Sequence, residues 1–147
     1  MIELPDAFWE VRYVGARYPG SPAVLARPGL ADGANCQLFA YEVLRHFGYD
    51  PPDLRSSELW DDEKSTQRVP VPRPLDLVLV NSSKDAWGAH IGVWAGQHAG
   101  EDKVLHLCAE AGRPALWTLP MFAARPSYRQ LIGFKRVVAR TRPFAQH

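Results

Sequence analysis

The chain has 147 residues, 46% of them hydrophobic and 11% aromatic, values that suit one folded domain with a full core and exclude a disordered chain. Formal charge is +1, so the molecule as a whole exerts no strong pull on nucleic acid or a membrane surface. No apolar run approaches the roughly 20 residues of a membrane span, so membrane insertion is not expected.

In chain order, residues 1–31 open with an aromatic-rich segment (Phe8, Trp9, Tyr13) and pass into a turn-prone stretch around Pro19-Gly20-Ser21-Pro22. The first strong periodicity follows. Apolar residues at 36, 39, 40, 43, 44 and 47 keep the i, i+3, i+4, i+7 spacing of one helical face. Asp32-Gly33 and Asn35 precede it as turn and N-cap signals, and Gly48 follows as a C′ stop. The spacing predicts a helix that opens at Cys36. From Tyr49 to Pro74 the chain is polar and proline-rich. It reads as a surface connection with a short helix near Ser56–Trp60, long enough to serve as a functional wall.

The second half predicts strands at Leu75–Val80, Ala89–Trp94, Val104–Ala109 and Leu131–Val138. A loop at Asn81–Gly88 and a turn over Ala95–Asp102 separate the first three. Short connections predict an antiparallel meander, and the helix-first, sheet-second order predicts an α+β fold. The expected unit is a single domain over 1–147, with its core at about 11–138 and a short tail. Beyond Glu110 no acidic residue occurs, while Arg113, Arg125, Arg129, Lys135, Arg136, Arg140 and Arg142 all follow. This run reads as the solvent face of a terminal strand plus a tail, with an anionic polymer such as cell-wall glycan or nucleic acid as the alternative; for the molecule as a whole no nucleic-acid partner is expected.

Cys36 stands at the first turn of the predicted helix, where unpaired backbone N–H groups and the helix dipole favour an anion. That placement lowers a thiol's pKa and makes it a nucleophile. Plain packing is the other reading, since free cysteines are among the most buried residue types. A period of two puts His90, Gly92 and Trp94 on one strand face, and Val104, His106 and Cys108 on another. If those strands pair as a hairpin, both imidazoles share a face. A nucleophile needs a base within reach, and the base needs a third group to orient it. Cys36, His90 and His106 can fill those roles in that order. Two thiols and two imidazoles also match zinc chemistry, but no paired spacing such as Cys-x-x-Cys exists, and neither a metal nor another cofactor is expected.

These residues resemble the NlpC-type bacterial cell-wall cysteine peptidases, a papain-like family. The resemblance runs over about residues 11 to 138. It rests on Gly15-Ala16-Arg17-Tyr18, then Asn35-Cys36-Gln37-Leu38 opening a helix, then Pro74-Leu75-Asp76-Leu77, then His90-Ile91-Gly92-Val93-Trp94, and last Leu105-His106-Leu107. It implies a nucleophile helix packed on an antiparallel sheet, with Cys36 as nucleophile, His90 as base and His106 as orienter. It also implies that Tyr18, Asn35 and Gln37 line the oxyanion and substrate-binding positions. The chain departs from the family at Asn35, where the family has aspartate, at Gln37-Leu38 in place of Ser-Gly, and at Leu75 in place of glycine. The family aspartate helps hold the amino end of a stem peptide, and asparagine lacks the charge for that contact.

The implied activity is cleavage of an amide bond in a peptide or peptidoglycan fragment. An amidase or acyltransferase acting on a small-molecule or protein substrate, or a non-catalytic binding module, is the alternative. The N-terminus, Met1-Ile2-Glu3-Leu4-Pro5-Asp6, has neither the basic start nor the apolar run of a signal peptide. The two cysteines are too few for a disulfide framework. The expectation is a cytoplasmic protein, or one exported without a standard signal peptide, as in phage- or secretion-system-associated proteins.

Overall fold

The computed structural model describes residues 1–141, so Arg142 of the basic run lies outside the described residues. A 3-10 turn at Asp6–Glu10 and a short helix α1 (Pro22–Ala26) lead into the long helix α2 (Cys36–His46). α2 opens where its capping chemistry dictates: Asn35 Oδ1 accepts the Leu38 N–H at 2.8 Å. It closes at Gly48, whose φ of 88° is left-handed and whose N–H bonds the Arg45 carbonyl at 3.0 Å. Phe39, Ala40, Val43 and Leu44 are buried on the predicted face, and Gln37, Leu38 and Tyr41, which lie off that face, are buried as well, so α2 is enclosed on more than its apolar stripe. After α3 (Ser56–Asp61) come strands β1 (Thr66–Val69), β2 (Leu77–Asn81), β3 (His90–His98), β4 (Glu101–His106) and β5 (Ala115–Trp117). Helix α4 (Leu119–Ala123), a 3-10 turn at Pro126–Tyr128 and β6 (Gln130–Val137) complete the chain.

The fold is α+β, with one six-stranded sheet in the order β1-β6-β2-β3-β4-β5 and every pairing antiparallel. Strands β2 to β4 form the expected meander, and β5, which the sequence did not mark, extends it. The last strand departs from it, because β6 returns to lie between β2 and β1. β1 falls inside the segment that the sequence reads as a surface connection. Its Gln67 and Arg68 face solvent on an edge strand, so no apolar alternation marks it. β4 starts three residues before the predicted strand and ends at His106, because Glu101 and Asp102 pair with His98 and Gln97 in a polar hairpin arm. The wide predicted turn shrinks to Ala99-Gly100, both left-handed, with φ of 54° and 81°. Two successive positive φ values match the twist of a tight hairpin.

The sheet separates two apolar clusters. On one face Leu77, Leu79, Ile91, Val93, Leu105 and Leu107 pack against Phe39, Ala40, Val43 and Leu44 of α2. On the other, Val78, Val80, Trp94, Val104, Cys108, Trp117 and Phe122 cluster under α4. Two charged residues lock the margins. Buried Arg17 donates to the carbonyls of Gly33 (2.7 Å), Ala23 (3.3 Å), Arg27 (2.9 Å) and Gly29 (2.9 Å), fixing the loop that delivers Cys36. Buried Asp76 takes a bidentate pair from Arg136 at 2.9 and 2.8 Å. Next to it Leu75 has a φ of 80°. A left-handed leucine costs about 1–2 kcal/mol, so the backbone here is the kind glycine favours. Among the described residues no helix is long and apolar enough to cross a membrane.

Candidate active site

The β3–β4 register aligns Val93 with Leu105, which sets Gly92 opposite His106 and His90 level with Cys108, two residues beyond the end of β4. Gly92 is what lets the imidazoles meet. A Cβ there would lie 2.6 Å from Val104 Cγ1 and 3.3 Å from the Cβ of His106. With no side chain in the way, His90 reaches diagonally across the strands and its Nε2 lies 2.9 Å from His106 Nδ1.

The second face of the sheet closes around the pair. Tyr128 stacks on His90 at 4.6 Å between ring centroids, with 26° between the planes. Trp117 and Phe122 sit 4.2 and 4.6 Å from His106. His106 is fully buried, and its Nε2 has no hydrogen-bond partner among the described residues. Between electron-rich ring faces an N–H is better tolerated than a bare lone pair. This puts the proton of His106 on Nε2 and makes its Nδ1 the acceptor from His90 Nε2–H. His90 Nδ1 is left with a free lone pair, the atom a general base requires. Burial pushes the His90 pKa down to about 4. His106 is lowered further, by burial first and then by the charges of His90 and Arg125. Both rings are neutral at ordinary pH.

Cys36 lies half-buried at the start of α2. Its thiol faces the backbone N–H groups of Ile91 and Gln37, with the Arg55 charge nearby. All three favour the thiolate, yet burial outweighs them and raises the pKa. The lowered thiol pKa expected from the helix start is therefore overturned, because desolvation exceeds what a few donors return. No hydrogen bond joins Cys36 to His90 among the described residues; the main-chain N–H of the very next residue, Ile91, is the foremost influence that favours the thiolate. The resting arrangement is a neutral thiol beside the strand that carries a neutral imidazole.

The other expected site residues are placed unevenly. Tyr18 is half-buried near the helix start, with the Arg55 guanidinium 4.2 Å above its ring. Asn35 is buried, and its Oδ1 accepts the Leu38 N–H as the N-cap. Gln37 corrects the expectation most. Its side chain turns into the protein, where Nε2 donates to Tyr41 Oη at 2.7 Å and to the Leu54 carbonyl, away from the thiol. Only its main-chain N–H belongs to the site. Among the described residues no group of three or more His, Cys, Asp and Glu side chains is placed to hold a metal ion.

Three residues that the motif reading passed over join the site. Tyr13 and Tyr128 both have hydroxyl pKa values raised, chiefly by burial and then by the two thiols. Tyr13 is anchored by its N–H to the Gly112 carbonyl at 3.0 Å and by a bridge to Ala34, just before the helix. Arg55 is the third. The signals for Tyr13 and Arg55 were compositional, aromatics in the first segment and a cation in the proline-rich connection, and nothing in the sequence marked Tyr128. Comparison of the chain with family models, with curated proteins and with solved structures returned no match.

Proposed function

We propose that this protein is a cysteine hydrolase of the NlpC type, with a papain-like arrangement, that cleaves an amide bond through Cys36, His90 and His106. The observation that carries this reading is the 2.9 Å bond between His90 Nε2 and His106 Nδ1, formed on the strand whose next N–H, that of Ile91, faces the Cys36 thiol. A base oriented by a second imidazole beside a helix-start thiol is the geometry nucleophilic catalysis asks for.

With both partners neutral at rest, proton transfer accompanies attack instead of preceding it. Cys36 Sγ adds to the carbonyl carbon while His90 Nδ1 takes the thiol proton. The free N–H of Cys36, in the unpaired first turn of α2, stabilises the oxyanion together with Tyr18. The resulting imidazolium then protonates the leaving amine, the C–N bond breaks, and a thioester remains. Water, activated by His90, hydrolyses it and releases the acid. His106 accepts the His90 Nε2–H throughout and holds the ring in place.

A peptidoglycan-type peptide is the leading substrate. Asn35 in place of the family's aspartate favours a second reading, an amidase or acyltransferase on a small-molecule or protein amide, because the charge for the family's amine contact is missing. Digestion of purified peptidoglycan fragments, with products read by mass spectrometry, separates the two. Cleavage that disappears in Cys36→Ala, with the fold intact by circular dichroism, is the expected result. Wild-type cleavage by Cys36→Ala counts against the nucleophile, and no cleavage by either protein moves the substrate away from the cell wall.

A further inference from the structure

We infer that Arg55 is a carboxylate-binding residue of this site, so that the substrate carries a carboxylate close to its scissile carbonyl. The inference rests on the hydrolase reading and adds a substrate class to it. Arg55 is held beside the helix start from two sides. The Leu54 carbonyl just before it accepts from Tyr41 Oη at 2.8 Å and from Gln37 Nε2, both on the first turns of α2. Its guanidinium lies 4.2 Å above the Tyr18 ring. Tyr18 follows Arg17, whose carbonyl accepts the Asn35 N–H at 2.9 Å, immediately before Cys36. Two segments that flank the nucleophile thus converge on this one cation.

The cation is also unengaged. Arg55 is exposed, and among the described residues its guanidinium makes no hydrogen bond and no ion pair. The nearby acids have other roles: Asp53 pairs with Arg45 at 3.1 Å, and Glu58 Oε1 accepts the Arg55 main-chain N–H at 3.4 Å. Stacking on an aromatic face holds a guanidinium in a fixed plane while leaving its donor edge free. A planar donor fork of this kind matches a carboxylate bidentately. The charge reaches Cys36 itself, where it favours the thiolate. This assigns a role to the buried Gln37 as well: it is a positioning residue that sets Arg55 against the site.

Alkylation tests the inference without requiring the substrate. Iodoacetate and iodoacetamide attack the same thiol and differ in one carboxylate, so the ratio of their rates at Cys36, read on the peptide containing residue 36, reports anion recognition. The ratio in the intact protein is expected to exceed that of free cysteine. In Arg55→Gln it is expected to fall by about 3-fold to 10-fold, the range a partly exposed charge pair supports. Arg55→Lys, which keeps the charge but loses the stacked planar fork, is expected to fall between the two. Protection of Cys36 from iodoacetamide by N-acetylalanine, against protection by the α-amide of N-acetylglutamate, distinguishes a terminal carboxylate from a side-chain one. Protection that survives Arg55→Gln unchanged, or an unchanged alkylation ratio, overturns the assignment while leaving Cys36 as nucleophile. Failure of both reagents at Cys36 even in alkaline buffer, where a thiol of raised pKa ionises, removes the nucleophile and the carboxylate site with it.

Discussion

The two sides of the candidate site are built on opposite plans. The imidazole side is dry and aromatic: His90 and His106 are enclosed by Tyr128, Trp117 and Phe122 and are left neutral by burial. The thiol side is polar and tied by hydrogen bonds, with the Asn35 cap, the Arg17 clamp, the main-chain donors at Ile91 and Gln37, and a free guanidinium at Arg55. The contrast separates two tasks. An apolar wall fixes ring position and keeps a lone pair unprotonated, while a polar wall is suited, on the proposed hydrolase reading, to charge that develops during reaction.

The sharpest way to break this contrast is to remove one imidazole at a time. His90→Ala is expected to lower hydrolysis by roughly 100-fold to 10,000-fold, as loss of a general base does. His106→Asn keeps an acceptor for the His90 N–H and is expected to retain part of the activity. Steady-state rates for both variants check this. Equal losses would mean that His106 also changes protonation state.

Acid attacks the dry side selectively. His90 is depressed in the fold from the ordinary imidazole value to about 4, and His106 is depressed too. Below the ordinary value the unfolded chain takes up protons that the folded site refuses. Stability is therefore full above about pH 6.5, declines as pH falls, and is lost through about 4. Chemical denaturation across that window is expected to show a decline of a few kcal/mol, reduced in His106→Asn. The acid limb of activity should extend toward pH 4 for the same reason, since the base stays unprotonated there.

A smaller perturbation lies between the two histidines. Gly92→Ala places a methyl 2.6 Å from Val104 and 3.3 Å from His106 Cβ, so β3 and β4 must separate locally. Overpacking of this kind costs about 1–3 kcal/mol. Activity is expected to fall by more than stability alone accounts for, because the imidazole contact is stretched. A melting curve compared with kcat at a temperature where the variant is folded separates the two effects.

Elements with a strong local code were legible in the chain. The α2 helix has a six-position apolar stripe, an asparagine cap and a terminal glycine, and all three act as written. The shared face of His90 and His106 followed from strand period together with the hairpin pairing assumed for the two strands. β1 and β5 were not legible, one being a polar edge strand and the other only three residues long. The Gln37 side chain was equally hidden: its partner Leu54 is 17 residues away, and no spacing rule connects them.

The sequence by itself determined where a helix begins, which residues alternate across strands, and which side chains have the chemistry of nucleophile and base. Those properties depend on neighbours within a turn or a pleat, where hydrogen bonds and sterics act locally. Tertiary structure alone decided that β6 inserts beside β2, that Trp117, Phe122 and Tyr128 enclose the imidazoles, and that Arg55 stands over Tyr18. It also decided the protonation of the site. Desolvation depends on everything packed around a group, so the helix start that favours a thiolate in isolation holds a neutral thiol once the chain has closed over it.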